Sequence, residues 1–123
     1  MAKQTPEGRV KDAIKKHLKT HYPDNFHFLP VSNGMGRHGI PDFVCSIPTV
    51  ITADMVGHTI GVFVGIEAKT LKGKVSPLQT QCLDDIAKSH GAALVVWGSD
   101  HVENIDNYID SAVWRAPFVE KPL

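Results

Sequence analysis

Cysteine is scarce in this 123-residue chain: there are two, Cys45 and Cys82, far apart in sequence. They form no CxxC pair, and the seven histidines do not space with them as zinc ligands. The sequence therefore gives no sign of a disulfide framework or a zinc module, and buried reduced thiols are the expectation. Long apolar runs are also missing. None approaches the roughly 18 residues of a membrane span. The opening segment MAKQTPEGRVKD has no apolar signal core. The chain thus reads as cytoplasmic, with no membrane partner. Net charge is absent too, since Lys and Arg number 13 and Asp and Glu number 13. A protein that only coats nucleic acid is usually more basic. Internal repeats and low-complexity segments are not found.

What is present suits one soluble α/β domain over residues 1–123, long enough to bury a core without disulfides. The charges are segregated along the chain. Residues 9–21 hold Arg9, Lys11, Lys15, Lys16 and Lys19 against a single acid, Asp12, while residues 100–110 are acidic. A neutral total can therefore hide a basic face.

The pattern predicts a first helix over 5–20. Thr5 is its N-cap and Pro6 its first residue, with an apolar stripe of Val10, Ala13, Ile14 and Leu18. A short strand follows at 26–31, with Pro30 pointing to an edge or an irregular end. Residues 32–42, SNGMGRHGIPD, read as a glycine-rich loop, and strands follow at 42–47 and 60–70. A helix over 76–91 is capped by Ser76, started by Pro77 and ended by Gly91. Residues 92–98 read as a fully buried strand, 101–114 as a last helix and 115–123 as a tail. The expected order is α-β-β-β-α-β-α, a small mixed sheet flanked by helices.

The strand GVFVGIEAKT, 61–70, ends oddly, because its apolar alternation gives way to Glu67 and Lys69 on one face. An antiparallel pairing of the two middle strands would place Asp42 beside Glu67, with the reversal falling between Asp54 and Met55 inside the connection. Two carboxylates so close repel unless a cation joins them. Hard oxygen donors suit Mg²⁺ or Mn²⁺. Such an ion polarises a phosphoryl oxygen and acidifies a bound water. Lys69 beside it can orient that water or stabilise charge in the transition state. This is coherent chemistry for phosphodiester hydrolysis. The plain alternative is a surface ion pair at a strand end, which is common and weak.

Together GIPD (39–42), IEAK (66–69) and SPLQ (76–79) resemble the PD-(D/E)XK nuclease superfamily, and within it the virus-type replication-repair nuclease family, VRR-NUC. The resemblance covers roughly residues 5–98 and implies a restriction-endonuclease-like core. It implies that Asp42 and Glu67 are metal ligands, with the backbone carbonyl of Ala68 as a further one. It makes Lys69 the catalytic lysine and Gln79 the glutamine of the helix beside the active site. Glu7 is similar to the acid on the first helix that can touch the metal through water. The alternatives are a first-turn acid favoured by the helix dipole for Glu7 and a solvent-facing residue for Gln79.

In the loop before Asp42, glycines let backbone N–H groups approach a phosphate, and Arg37 and His38 can meet a DNA backbone. An ordinary flexible turn is the alternative. Lys72 and Lys74 are expected to add phosphate contacts, as are Lys15 and Lys19 of the first helix. The resemblance implies an Mg²⁺- or Mn²⁺-dependent endonuclease of the Holliday-junction-resolvase kind, acting on branched DNA as a homodimer in a bacterial or phage-infected cell. A nicking or double-strand endonuclease for phage DNA is the second reading. A non-catalytic nucleic-acid-binding module of the same fold is the third.

Overall fold

The computed structural model of the chain describes residues 4–31, 39 and 41–123. Among these the helices and strands follow as α1 (Pro6–His21), β1 (Phe26–Phe28), β2 (Val44–Ser46), β3 (Val64–Lys69), α2 (Pro77–Lys88), β4 (Ala92–Trp97) and α3 (Asn104–Asp110). Short 3₁₀ turns stand at Ala53–Met55 and Ser99–His101. No helix among the described residues is long and apolar enough to cross a membrane.

Helix α1 begins as its sequence dictates. Thr5 Oγ1 accepts from the Gly8 N–H at 2.9 Å, and Pro6 follows it at the first helical position, where no N–H is needed. Its apolar stripe does not become core as expected. Leu18 alone of the helix is buried, while Val10 and Ile14 remain 59% and 38% exposed. The core is formed elsewhere, where α2 covers one face of β4. Leu83 and Ile86 of α2 pack with Ala93, Val95 and Trp97 of β4, and Phe26, Phe63 and Val75 close the edges. A fully buried aliphatic side chain of this kind contributes about 1.5–3 kcal/mol.

The expected single mixed sheet is replaced by two two-stranded ones. Strand β2 pairs antiparallel with β1, Phe26 opposite Ser46 and Phe28 opposite Val44. Strand β3 pairs parallel with β4 from Val64–Ala92 to Lys69–Trp97, with α2 as the crossover. The antiparallel pairing of β2 with β3 is therefore not formed. Residues 47–63 between them include their own 3₁₀ turn and impose no hairpin register. Strand β4 is buried at every position, which is the environment a parallel partner needs.

The ends of elements also differ from the sequence reading. Strand β1 stops at Phe28, short of Pro30, and α3 is confined to Asn104–Asp110. Helix α2 ends at Lys88, before Gly91. The left-handed position after it is taken by His90, with φ of 68°. The His90 N–H donates to the Ala87 carbonyl and the Gly91 N–H to the Ile86 carbonyl, a complete Schellman closure on a residue with a Cβ. The tail is not loose. Phe118 bridges to Leu94 on the other flank of β4, its N–H donating to Ala93 and its carbonyl accepting from Val95. Trp97 Nε1 donates to the Val119 carbonyl, and Lys121 lies over the Trp97 ring.

Candidate active site

Strand β3 carries its charges inward. Glu67 and Lys69 are partly buried, their side chains 29% and 20% exposed, whereas Ile66 on the opposite face is 48% exposed. Ordinary amphipathic strands do the reverse. The inward face runs Gly65, Glu67, Lys69, and α2 lies against it. Gly65 makes that approach possible, since a Cβ there would sit 2.5 Å from Ile86 Cδ1.

The close helix brings Gln79 to Glu67. Ser76 and Gln79 form a reciprocal capping box at the start of α2. The Gln79 N–H donates to Ser76 Oγ at 3.1 Å, and the Ser76 N–H donates to Gln79 Oε1 at 3.0 Å. The other end of the same amide reaches the strand, with Nε2 donating to Glu67 Oε1 at 2.9 Å. Lys69 Nζ stands 3.7 Å from that same oxygen. Its stem runs beside Gly73, which sits in a turn closed by the Gly73 N–H on the Thr70 carbonyl. A Cβ at 73 would sit tightly, 3.2 Å from the Thr70 carbonyl oxygen, and in ordinary contact with Lys69 Cδ at 3.4 Å.

Glu67 and Gln79 line an open cleft of about 300 Å³, with Ile66, Leu78 and Cys82 also on its wall. A larger apolar groove of about 800 Å³ runs along residues 45–51, 60–63 and 112–115. It contains no carboxylate, whereas the smaller cleft is lined by Glu67. Cys82 is exposed, against the expectation of a buried thiol, because it lies on the cleft side of α2. Cys45 is partly buried, and burial raises its thiol pKa.

The remaining expected residues are dispersed. Asp42 is exposed in a bend just before β2. Among the described residues no ladder pair, hydrogen bond or ion pair joins it to Glu67. Ala68 is exposed between Glu67 and Lys69, and Glu7 is exposed in the first turn of α1. Lys72 and Lys74 are exposed in the turn after β3, and Lys15 and Lys19 are exposed on α1. Arg37 and His38 lie outside the described residues. No cluster of three or more His, Cys, Asp or Glu side chains forms among the described residues. The proposed ligand set is smaller than that, with two carboxylates and a backbone carbonyl. All its donors are oxygen, the chemistry a hard divalent cation takes, and Glu67 opens on a cleft, while Asp42 is not among that cleft's lining residues.

Sequence reasoning did not single out Gly65 or Gly73. A glycine inside an apolar strand, two residues before a charge on the same face, is a signal for close approach. The VRR-NUC domain model matches residues 2–100. No curated protein and no solved structure matches the chain.

Proposed function

The chain belongs to the VRR-NUC family of nucleases, and on that premise we propose that it is a metal-dependent DNA endonuclease whose reaction is centred on Glu67 and Lys69. The observation that carries this reading is the inward-facing Glu67–Lys69 pair, tied to α2 through Gln79 at an open cleft. A surface ion pair has no need of that arrangement, and exposed pairs of that sort contribute little to stability.

Glu67, Asp42 and the Ala68 carbonyl are the groups that would hold Mg²⁺ or Mn²⁺, with Glu7 reaching the ion through water. A bound divalent ion supplies polarisation of the phosphoryl oxygen and a lowered pKa for water. Lys69 holds its ammonium beside the carboxylate, where it orients the attacking water and offsets charge gathering on phosphorus. Gln79, expected among the catalytic residues, touches Glu67 and supports it. Lys72 and Lys74 lie in the turn directly after Lys69, suited to phosphates next to the scissile bond. Arg37 and His38, a few residues before Asp42 in sequence, are proposed as further phosphate contacts from their residue type alone. Lys15 and Lys19 extend the basic surface along α1.

The proposed substrate is branched DNA and the proposed active form is a homodimer. The chain is neutral overall, so DNA affinity must come from a local basic patch, and one small domain offers few phosphate contacts. A two-fold dimer doubles that patch and presents two equivalent sites to a symmetric junction. The test is a panel of labelled four-way junction, flap, linear duplex and single strand, each with Mg²⁺, Mn²⁺ or EDTA. Preferred incision of the junction with either metal, abolished by EDTA, is expected. Equal or better cutting of linear duplex would favour the nicking or double-strand alternative. Binding without incision under every condition would favour a non-catalytic module.

A further inference from the structure

Gln79 makes two contacts that constrain each other. Its Oε1 accepts from the Ser76 N–H at 3.0 Å while its Nε2 donates to Glu67 Oε1 at 2.9 Å. A carboxylate can only accept and a backbone N–H can only donate. One orientation of the amide satisfies both, and rotating it would set oxygen against oxygen and N–H against N–H. The capping box therefore fixes which end of Gln79 faces the strand. It does so from the first turn of a helix whose second and third turns are anchored in the core by Leu83 and Ile86. Lys69 Nζ approaches the same oxygen of Glu67. The hydrogen bond from Gln79 is thus on Oε1, with the ammonium 3.7 Å from that oxygen, and among the described residues no hydrogen bond is made to Oε2.

We propose that Gln79 is the positioning residue of the site: the capping box of α2 aims its amide at Glu67 Oε1, so that Glu67 presents Oε2 to the metal. This rests on the reading of Glu67 as a metal ligand and adds what sets its geometry. A ligand carboxylate left to rotate would have to be ordered each time an ion binds. An amide fixed by its own helix removes that cost beforehand. The S-x-x-Q spacing thereby links helix initiation to the site, because the residue that closes the cap also holds the ligand. Glutamine serves both ends, whereas the glutamate common at this cap position would bring a carboxylate against Glu67.

A matched pair of variants separates positioning from capping. Gln79→Met and Ser76→Ala each remove one of the two reciprocal cap bonds, and only Gln79→Met removes the contact to Glu67. Melting temperature, Mn²⁺ affinity by calorimetry and single-turnover cleavage at saturating Mn²⁺ are measured on wild type and both variants. Both are expected to melt several degrees lower, by roughly 3–8 °C for loss of a cap in a domain of this size. Gln79→Met alone should lose Mn²⁺ affinity or rate by about 10–100-fold, the usual effect of removing a partner that orients a metal ligand. Ser76→Ala should bind Mn²⁺ and cut close to wild type. Equal losses in the two variants, or wild-type Mn²⁺ binding and rate in Gln79→Met, would overturn the positioning role and leave the nuclease reading standing. A wild-type protein that neither binds Mn²⁺ nor cuts would overturn both.

Discussion

Lys69 shows how much a single residue depends on its surroundings. Its ammonium is next to Glu67, its stem runs beside the Thr70–Gly73 turn, and its backbone carbonyl accepts from the Gly98 N–H at 2.8 Å. The group is held on the inward face of β3, and the site asks of it a charge in the right place. Lys69→Ala should therefore bind Mn²⁺ with near wild-type affinity but lose on the order of 10²–10³ in single-turnover rate, as expected for a lost electrostatic partner of the transition state. Calorimetry beside rapid-quench kinetics checks this. Unchanged kinetics would remove the residue from the chemistry, and a collapse of metal affinity would give it a structural duty. At this scale the sequence was informative. E-x-K at the end of an apolar strand and S-x-x-Q opening a helix could both be read directly. That Gln79 reaches Glu67 could not, because nothing in either motif says how closely helix and strand approach.

Closeness belongs to the elements. Gly65 gives β3 a gap into which Ile86 fits, and that contact sets the height of α2 above Glu67. Gly65→Ala would push a methyl group into a buried isoleucine, at a cost of about 1–3 kcal/mol for overpacking. The same displacement would draw Gln79 from Glu67. The expectation is a lowered chemical-denaturation midpoint, together with weakened Mn²⁺ binding in the fraction that remains folded. Loss of stability with unaltered metal affinity would show that α2 relaxes without moving the amide. The type and order of helices and strands were legible from periodicity and caps. Strand partnership was not. The 47–63 connection left the register of β2 against β3 free, and β4, buried along its whole length, took β3 instead. His90 in the left-handed position after α2 was equally hidden, because glycine one residue later is the more obvious stop.

Across the molecule, the family match ends at residue 100, and the remaining residues form α3 and a tail that folds back on β4 through Phe118 and Val119. Composition gave no hint of this return, because a single bridge needs neither alternation nor length. Helix α1 keeps Lys15 and Lys19 in solvent, and the acids of residues 100–110 stand on a separate segment, so zero net charge is compatible with one basic surface. The central claim is that this small domain hydrolyses DNA at Glu67. Its most direct test is single-turnover cleavage of a labelled four-way junction by wild-type protein and by Glu67→Gln at saturating Mg²⁺, with DNA binding measured in the same samples. The account predicts that wild type cuts, that EDTA stops it, and that Glu67→Gln binds the junction at least as tightly while cleaving no faster than buffer alone. Cleavage by Glu67→Gln at a rate near wild type would contradict it.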